Sequence, residues 1–510
     1  MTTIAVVVSI SLVIALTLTI GVFGLRVSRT TSDFFVASRR VGPFLNASAI
    51  GGEYLSAASF LGVAGLVLVR GVDMLWYPIG WTAGYLLLLV LVAAPLRRSG
   101  AYTLPDFAEF RVESQTARQV ASWLVCLIGA LYLVPQFQGA GLTLSALTGA
   151  PTWVGAFLVA SVVLINVAGG GMRSITLVQA FQYWLKLCAL LVPVIALWLS
   201  WRGDGAPTSH VHAVDWVEPL QGPRATYLTY SLILATFLGT MGLPHVVVRF
   251  YTNPDGRTAR RTTVVVLALL SVFYLLPTAY GVLGRIYASD LVASGRTDSV
   301  VLELPHRMLG GASGTLLTAL LAGGAFAAFL STASGLAVSI SGVLSQDVLS
   351  HRLHPVTAFR IGGVIATAGT LALTLGTQGL PVAHAVELAF AVAASTFCPL
   401  LLLGIWWRGL TARGAVAGML VGGVLSGSAV LAVMVGAQPE GWAGALLAQP
   451  ALLTVPLAFL LMIGVSVADP AGPPLHVGRA MVRLHLPEAL EVDRGTYHPM
   501  AGRSADPRSI

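Results

Sequence analysis

Charge is what this chain has least of. Of its 510 residues only 10% are charged and 56% are hydrophobic; a soluble domain carries about 25% charged residues. A water-soluble globular fold is excluded, and so is a disordered chain. Lysine occurs once, as Lys186, and the rest of the 29 basic residues are arginine. The three cysteines, Cys126, Cys188 and Cys398, all lie in apolar runs. They offer neither a disulfide framework nor metal-ligand spacing. No Gly-x-x-x-x-Gly-Lys-Ser/Thr phosphate loop, His-Glu-x-x-His zinc pair or Gly-x-Ser-x-Gly nucleophile turn occurs. The chain is therefore expected not to be an enzyme and to use no cofactor. An ATP-driven pump would need the phosphate loop, so work must come from an ion gradient, unless the protein is a passive pore.

Long apolar runs are what the chain has in excess. Runs long enough to cross a bilayer, about 20 residues each, fall at 3–25, 45–69, 74–96, 119–149, 151–169, 177–201, 226–250, 262–287, 312–346, 358–378, 381–405, 414–436 and 450–468. That predicts an all-α polytopic membrane protein with about thirteen transmembrane helices, numbered here as spans 1 to 13. The first run lacks the basic start and small-residue cleavage pattern of a signal peptide, so it reads as a retained helix.

The net charge of +8 points to the membrane and not to nucleic acid, because the arginines fall in alternate loops. Twenty-two lie in the loops after odd-numbered spans and in the tail, and six in the other loops. The positive-inside rule then puts the N-terminus outside and the C-terminus in the cytoplasm. The partners expected are the lipid bilayer, a small solute and an ion. Nothing in the sequence defines an oligomeric state.

Spans 2 and 7 are interrupted. Ala49–Phe60 and Gly239–His245 place glycines and polar groups in mid-run. Inside a bilayer a free backbone amide or carbonyl costs several kcal/mol, roughly, so broken helix is tolerated only where it lines a site. The two breaks are five spans apart. Five is odd, so spans 2–6 and 7–11 have opposite orientations, the condition for an inverted repeat with its site near the midplane. The expected division is 1–44, an extra helix and loop; 45–201 and 202–405, two five-helix repeats; 406–468, two flanking helices; and 469–510, a cytoplasmic tail. Within the tail, Gly478–Leu490 could form a surface helix or stay unstructured.

Ser32–Arg40, the span 2 run, Gly239-Thr-Met-Gly-Leu-Pro-His-Val-Val-Val-Arg-Phe-Tyr-Thr252 and Leu330–Asp347 resemble, in order, the sodium:solute symporter family. Within that family they look most like its bacterial cation/acetate (monocarboxylate) members. The resemblance implies a five-plus-five inverted-repeat (LeuT-like) fold in the bacterial plasma membrane. It also implies uptake of acetate, propionate or pyruvate with Na+. Proline, pantothenate or another organic anion, and H+ coupling, are the alternatives within it; a sensor or channel is the alternative outside it.

Sodium is a hard cation that takes oxygen ligands. Adjacent hydroxyls at Ser331 and Thr332 could bond back along their own helix. The resemblance instead makes them sodium ligands, with the carbonyls of Ala328, Gly52 and Leu55. It places Tyr54, Ser59 and Tyr77 against the solute. Pro78, where sugar carriers have a polar residue, argues against a sugar. Gln136 either packs between helices or lines the site. The restart of span 7 at Gly242, Leu243 and His245 suits a carboxylate, since a half-helix N-terminus presents free amides and about half a positive charge. Glu53 lies in the break itself and could carry charge near the cation, take a proton or cap freed amides. Glu387 and Lys186 are single charges on apolar helices, for which pairing with a neighbouring helix is expected over a transport role. Asp106 and Asp347, at cytoplasmic helix ends, are placed for gate ion pairs with arginine.

A reporter fused after Ile510 is expected to read cytoplasmic. A periplasmic signal would reverse the assigned orientation.

Overall fold

A computed structural model of the chain describes residues 2–25, 37–208, 214–220, 222–349, 353–376, 382–437 and 439–490. The start of the Ser32–Arg40 motif and the tail beyond 490 lie outside them. All regular structure among the described residues is helical.

Twelve helices are long and apolar enough to cross a membrane. One of them, Ala58–Ser99, has 42 residues, and at 1.5 Å per residue it is about twice as long as a bilayer is thick. It is divided at Gly71, which ends the helix Val63–Arg70 with φ 59°. A Cβ there would lie 1.9 Å from the Trp216 carbonyl, so only glycine fits this corner. Two crossings result: span 2, made of Pro43–Tyr54 and Ala58–Arg70, and span 3, Trp76–Ser99. Gly171 (φ 58°) likewise divides Thr152–Gly203 into spans 5 and 6. With these boundaries the thirteen expected crossings are all present.

The remaining spans are Thr2–Leu25, Gln115–Thr148, Ala225–Gly242 continued by Pro244–Val248, Gly256–Tyr287, Gly311–Val343, Pro355–Gly376, Val382–Trp406, Ala412–Met434 and Ala451–Ala468. Spans 11 and 9 form the centre, with 89% and 83% of their apolar windows buried, while span 1 is 28% buried and stands at the rim. Close approach at the centre depends on glycine, as membrane packing requires in the absence of a hydrophobic drive between helices. A Cβ on Gly239 or Gly242 of span 7 would lie 2.4 Å from the carbonyls of Phe390 or Ala393 of span 11.

The Arg-rich end is closed by one guanidinium. Arg118, on span 4, bonds Asp106 at 2.8 Å and Asp347 at 2.6 Å, and also Glu109. Asp106 belongs to the short helix Leu104–Val112, started by a capping box between Thr103 and Asp106. Asp347 lies just past span 9, where Ser122 also donates to it at 2.6 Å. Both expected ion pairs thus share a single arginine. At the same end Val477–His485, overlapping the stretch expected as a surface helix, lies against span 3 at Arg98, whose carbonyl accepts from Arg483 Nε at 3.2 Å. Arg98 bonds the carbonyl of His485 and the carboxylate of Glu488.

Replacing Arg118 with Ala leaves three carboxylates facing one another. Breaking a buried pair costs about 3–5 kcal/mol, so the variant is expected to melt at a lower temperature in detergent. Lysine, which cannot reproduce the fork geometry, is expected to rescue only partly.

Candidate functional site

The span 2 helix stops at Tyr54, Leu55 adopts φ −75° and ψ 82°, and helix resumes at Ala58. Nearly every backbone group freed by the break has a partner, as a bilayer interior demands. Leu55 N–H donates to the Gly51 carbonyl and Ser56 N–H to the Tyr54 carbonyl. Ala57 N–H donates to Gln136 Oε1 at 3.2 Å, so Gln136 acts as the cap of the broken helix. The carbonyls of Gly52 and Glu53 accept from Ser331 Oγ at 2.5 Å and Thr332 Oγ1 at 2.6 Å. Lys186 of span 6 donates through Nζ to the Gly52 carbonyl at 2.5 Å and the Leu55 carbonyl at 2.7 Å. Of the residues expected around sodium, Gly52 meets Ser331 directly, Thr332 bonds the carbonyl of Glu53 and not that of Leu55, Leu55 is reached by Lys186, and Ala328 is buried one turn earlier on span 9. Here the two hydroxyls act as donors, and an ammonium group lies on the two span 2 carbonyls. Gly52 has to be glycine, because a Cβ would sit 2.1 Å from the Gln179 carbonyl of span 6.

Glu53 does not cap freed amides. Its Oε2 accepts from Arg249 Nε at 2.6 Å, with both side chains 1% exposed. Arg249 also donates to Thr176 Oγ1 at 2.8 Å and to Gln179 Oε1. One guanidinium thus ties the end of span 7 to spans 2 and 6. Span 9 makes room at Gly335, where a Cβ would overlap Glu53 Oε1 at 1.9 Å.

Beside the break lies a cluster of rings. Tyr54 packs edge-on against Tyr85, with centroids 4.9 Å apart, and Phe390 lies 5.7 Å from Trp81 and 5.9 Å from Tyr132. Tyr54 OH bonds Thr240 Oγ1 at 2.8 Å and Ser59 Oγ bonds Tyr274 OH at 2.9 Å. His245 stacks edge-on against Tyr132 at 5.1 Å. It is fully buried, and neither ring nitrogen has a hydrogen-bond partner among the described residues. Leu243 (φ −70°, ψ 118°) is the extended residue of the span 7 break, and Pro244 opens the next short helix. Gly242 faces the backbone of span 11. The close approach it allows is helix to helix.

Tyr77 and Glu387 belong together and away from Lys186. Tyr77 OH and Gln449 Nε2 both donate to the Glu387 carboxylate, with His384 Nδ1 at 3.4 Å. Gln449 precedes span 13, so this group ties spans 3 and 11 to a flanking helix.

Comparison with known proteins accords with this geometry. The sequence model of the sodium:solute symporter family matches residues 34–422. The chain belongs to the sodium:solute symporter family. An uncharacterized symporter, YwcA of Bacillus subtilis, is 32% identical over 475 residues, covering 88% of this chain and 91% of YwcA. A monocarboxylic acid transporter of Corynebacterium glutamicum is 31% identical over 499 residues, covering 88% and 89%. A Na+-coupled sialic acid symporter solved in a substrate-bound, outward-open state superposes with a TM-score of 0.71 at 16% identity, over 92% of this chain and 99% of that one. The fold is accordingly the inverted-repeat transporter fold, and the symporter is a multi-pass membrane protein.

The residue that sequence reasoning misplaced in this symporter is Arg249. It is one of the twenty-two arginines that the alternation of loops assigns to the odd-numbered side, and the structure buries it on Glu53. The signal was present, since position 249 lies inside the expected span 226–250 and an ionisable group within a span needs a partner.

Glu53→Gln leaves the Arg249 guanidinium buried without its counter-charge, which costs about 3–5 kcal/mol. The double variant Glu53→Gln, Arg249→Met removes both charges. It is expected to lose less thermal stability in detergent than the two single variants added together, the mark of direct coupling.

Proposed function

We propose that this symporter takes up a short-chain monocarboxylate such as acetate, propionate or pyruvate. Its carboxylate lies against His245 and its methyl or ethyl tail among Tyr54, Trp81, Tyr132 and Phe390. The observation that carries this reading is His245, a fully buried side chain with both ring nitrogens unpartnered, at the restart of a broken helix. A buried polar group without a partner is costly, and a ligand that supplies the partner removes that cost. With centroids 5–6 Å apart these rings touch one another, so a ligand enters only as they part, and a two- or three-carbon tail requires less parting than a sugar. The relative named a monocarboxylic acid transporter supports the same substrate class.

Family membership implies sodium as the coupling ion, and the contact between the span 2 break and Ser331–Thr332 is where a cation acts on the conformation. A cation held there favours the arrangement in which spans 2, 6 and 9 are joined; its effect is a difference in affinity between two states. Import into a bacterial cell across the plasma membrane, with the N-terminus outside, completes the reading.

Uptake by the purified chain in proteoliposomes is expected to be inhibited by acetate, propionate or pyruvate and not by their amides or by hexoses. Inhibition by proline or pantothenate in place of these acids would reassign the substrate, and inhibition by a neutral amide would remove the carboxylate argument. A hydrogen bond to a charged group is worth about 1.5–3 kcal/mol. His245→Leu is therefore expected to raise the half-saturation concentration roughly 10- to 150-fold.

A further inference from the structure

The rings beside the break are joined through Phe390 of span 11. Its centroid lies 5.7 Å from that of Trp81, 5.9 Å from Tyr132 and 6.2 Å from Tyr54. Tyr85 packs on Tyr54 and His245 on Tyr132, so these side chains form one cluster. Several polar atoms around it are paired. Tyr54 OH donates to the Trp81 carbonyl at 3.2 Å and meets Thr240 Oγ1 at 2.8 Å, Ser59 Oγ meets Tyr274 OH, and Tyr77 OH donates to Glu387. On the rings of the cluster itself, four buried polar atoms have no partner among the described residues: both nitrogens of His245, Trp81 Nε1 and Tyr85 OH. A substrate carboxylate accounts for His245. It leaves Trp81 and Tyr85 unexplained, although they are only 1% and 0% exposed.

Both residues come from span 3. They are four positions apart on the helix Trp76–Leu87, so they share one face of it. Their neighbours Gly80 and Gly84 bring that helix onto span 7. A Cβ there would lie 2.0 Å from Thr236 Oγ1 or 2.5 Å from Thr240 Cβ. The pair is thereby held beside the helix that breaks at Leu243. His245 enters the cluster through Tyr132, whereas the span 3 pair enters it through Phe390 and Tyr54. The unpaired groups thus fall into two sets on different rings, and a carboxylate held by the first leaves the second to another part of the ligand. An indole N–H can only donate, and a phenol can donate or accept. A hydrocarbon tail offers neither of them a partner, and a buried donor left unmade is costly. An oxygen on the tail supplies one.

We propose that Trp81 and Tyr85 bind an oxygen on the second carbon of the substrate, so that this symporter selects 2-oxo and 2-hydroxy monocarboxylates over plain fatty acids of the same length. The inference rests on the carboxylate reading of His245 and narrows it. As the rings part to admit the acid, its second-carbon oxygen takes the indole N–H and the phenol O–H. Acetate and propionate have no such oxygen; pyruvate and lactate do. A site built to bond a substrate oxygen rejects the analogue that lacks it more strongly than an apolar pocket rejects a change of one methylene.

The test uses the full chain in proteoliposomes under an inward sodium gradient, with labelled pyruvate, lactate and propionate as probes. All three have three carbons, so only the second-carbon oxygen differs. The half-saturation concentration for pyruvate and lactate is expected to be roughly 5- to 150-fold below that for propionate, the range that one buried donor satisfied or left unmade represents. Tyr85→Phe and Trp81→Phe each delete a donor and keep a ring. Each is expected to shrink the preference, and the double variant to abolish it. The preference is a ratio within one protein, so packing lost with the smaller ring, which weakens all three acids alike, drops out. Tyr85→Phe is also expected to melt no lower than the wild type, because the hydroxyl it removes has no partner in the packed cluster. A clear loss of stability would reveal a structural partner and overturn the assignment of Tyr85. A half-saturation concentration for propionate equal to or below those of both oxygenated acids would overturn the proposal and leave the carboxylate reading standing. A preference that survives in the double variant would do the same. Uptake of none of the three acids would overturn the carboxylate reading, and this inference with it.

Discussion

The centre of this symporter is organised by the need to satisfy a broken backbone where there is no water. The span 2 helix opens at Leu55, partway along the span, and the groups it frees are met from three directions. Span 4 supplies the Gln136 amide, span 9 the hydroxyls of Ser331 and Thr332, and span 6 the ammonium of Lys186. These bonds hold only while spans 4, 6 and 9 stand where they do. A shift of any of them exposes carbonyls to hydrocarbon, which is costly. The break is therefore a joint, and any rearrangement of spans 4, 6 or 9 has to supply new partners for its backbone groups.

Close packing makes those bonds possible. In lipid there is no hydrophobic drive to press one helix on another, so contact depends on small residues and on polar groups that find each other. Gly52 admits the span 6 backbone, Gly335 admits the Glu53 carboxylate, and Gly239 and Gly242 admit the carbonyls of span 11. Each lets a polar atom come closer than any side chain would permit. Glycine in this core sets interhelical distance more than it supplies flexibility.

Two buried arginines divide the work of holding the helices. Arg118 gathers three carboxylates at the Arg-rich end and fastens the Leu104–Val112 helix and the end of span 9 to span 4. Arg249 sits at the centre and joins spans 7, 2 and 6 through Glu53, Thr176 and Gln179. The first lies at the helix ends of the Arg-rich face and fastens a short helix to two spans. The second joins three spans to one another and is part of the frame. Lys186 differs from both because its partners are carbonyls and not carboxylates, so its charge is solvated by the backbone without being cancelled.

Composition, apolar run length and the placing of glycine and proline were enough to determine the membrane class, the crossings and the two interrupted helices, because each depends on local sequence and on the thickness of a bilayer. The family pattern singled out Ser331, Thr332, Gly52 and Leu55 as expected cation ligands, and the structure sets the Ser331 hydroxyl on the Gly52 carbonyl. Partner choice was not legible. Glu387 and Lys186 were visible as lone charges, yet nothing local indicated that one meets Tyr77 and Gln449 while the other meets two carbonyls. Arg249 looked like a loop residue, and Gln136 stood between packing and lining until its bond to Ala57 was seen. These pairings join residues roughly 60 to 310 positions apart in the chain. A buried polar group takes whichever partner the packed helices bring within hydrogen-bond reach, and that distance exists only in the tertiary structure.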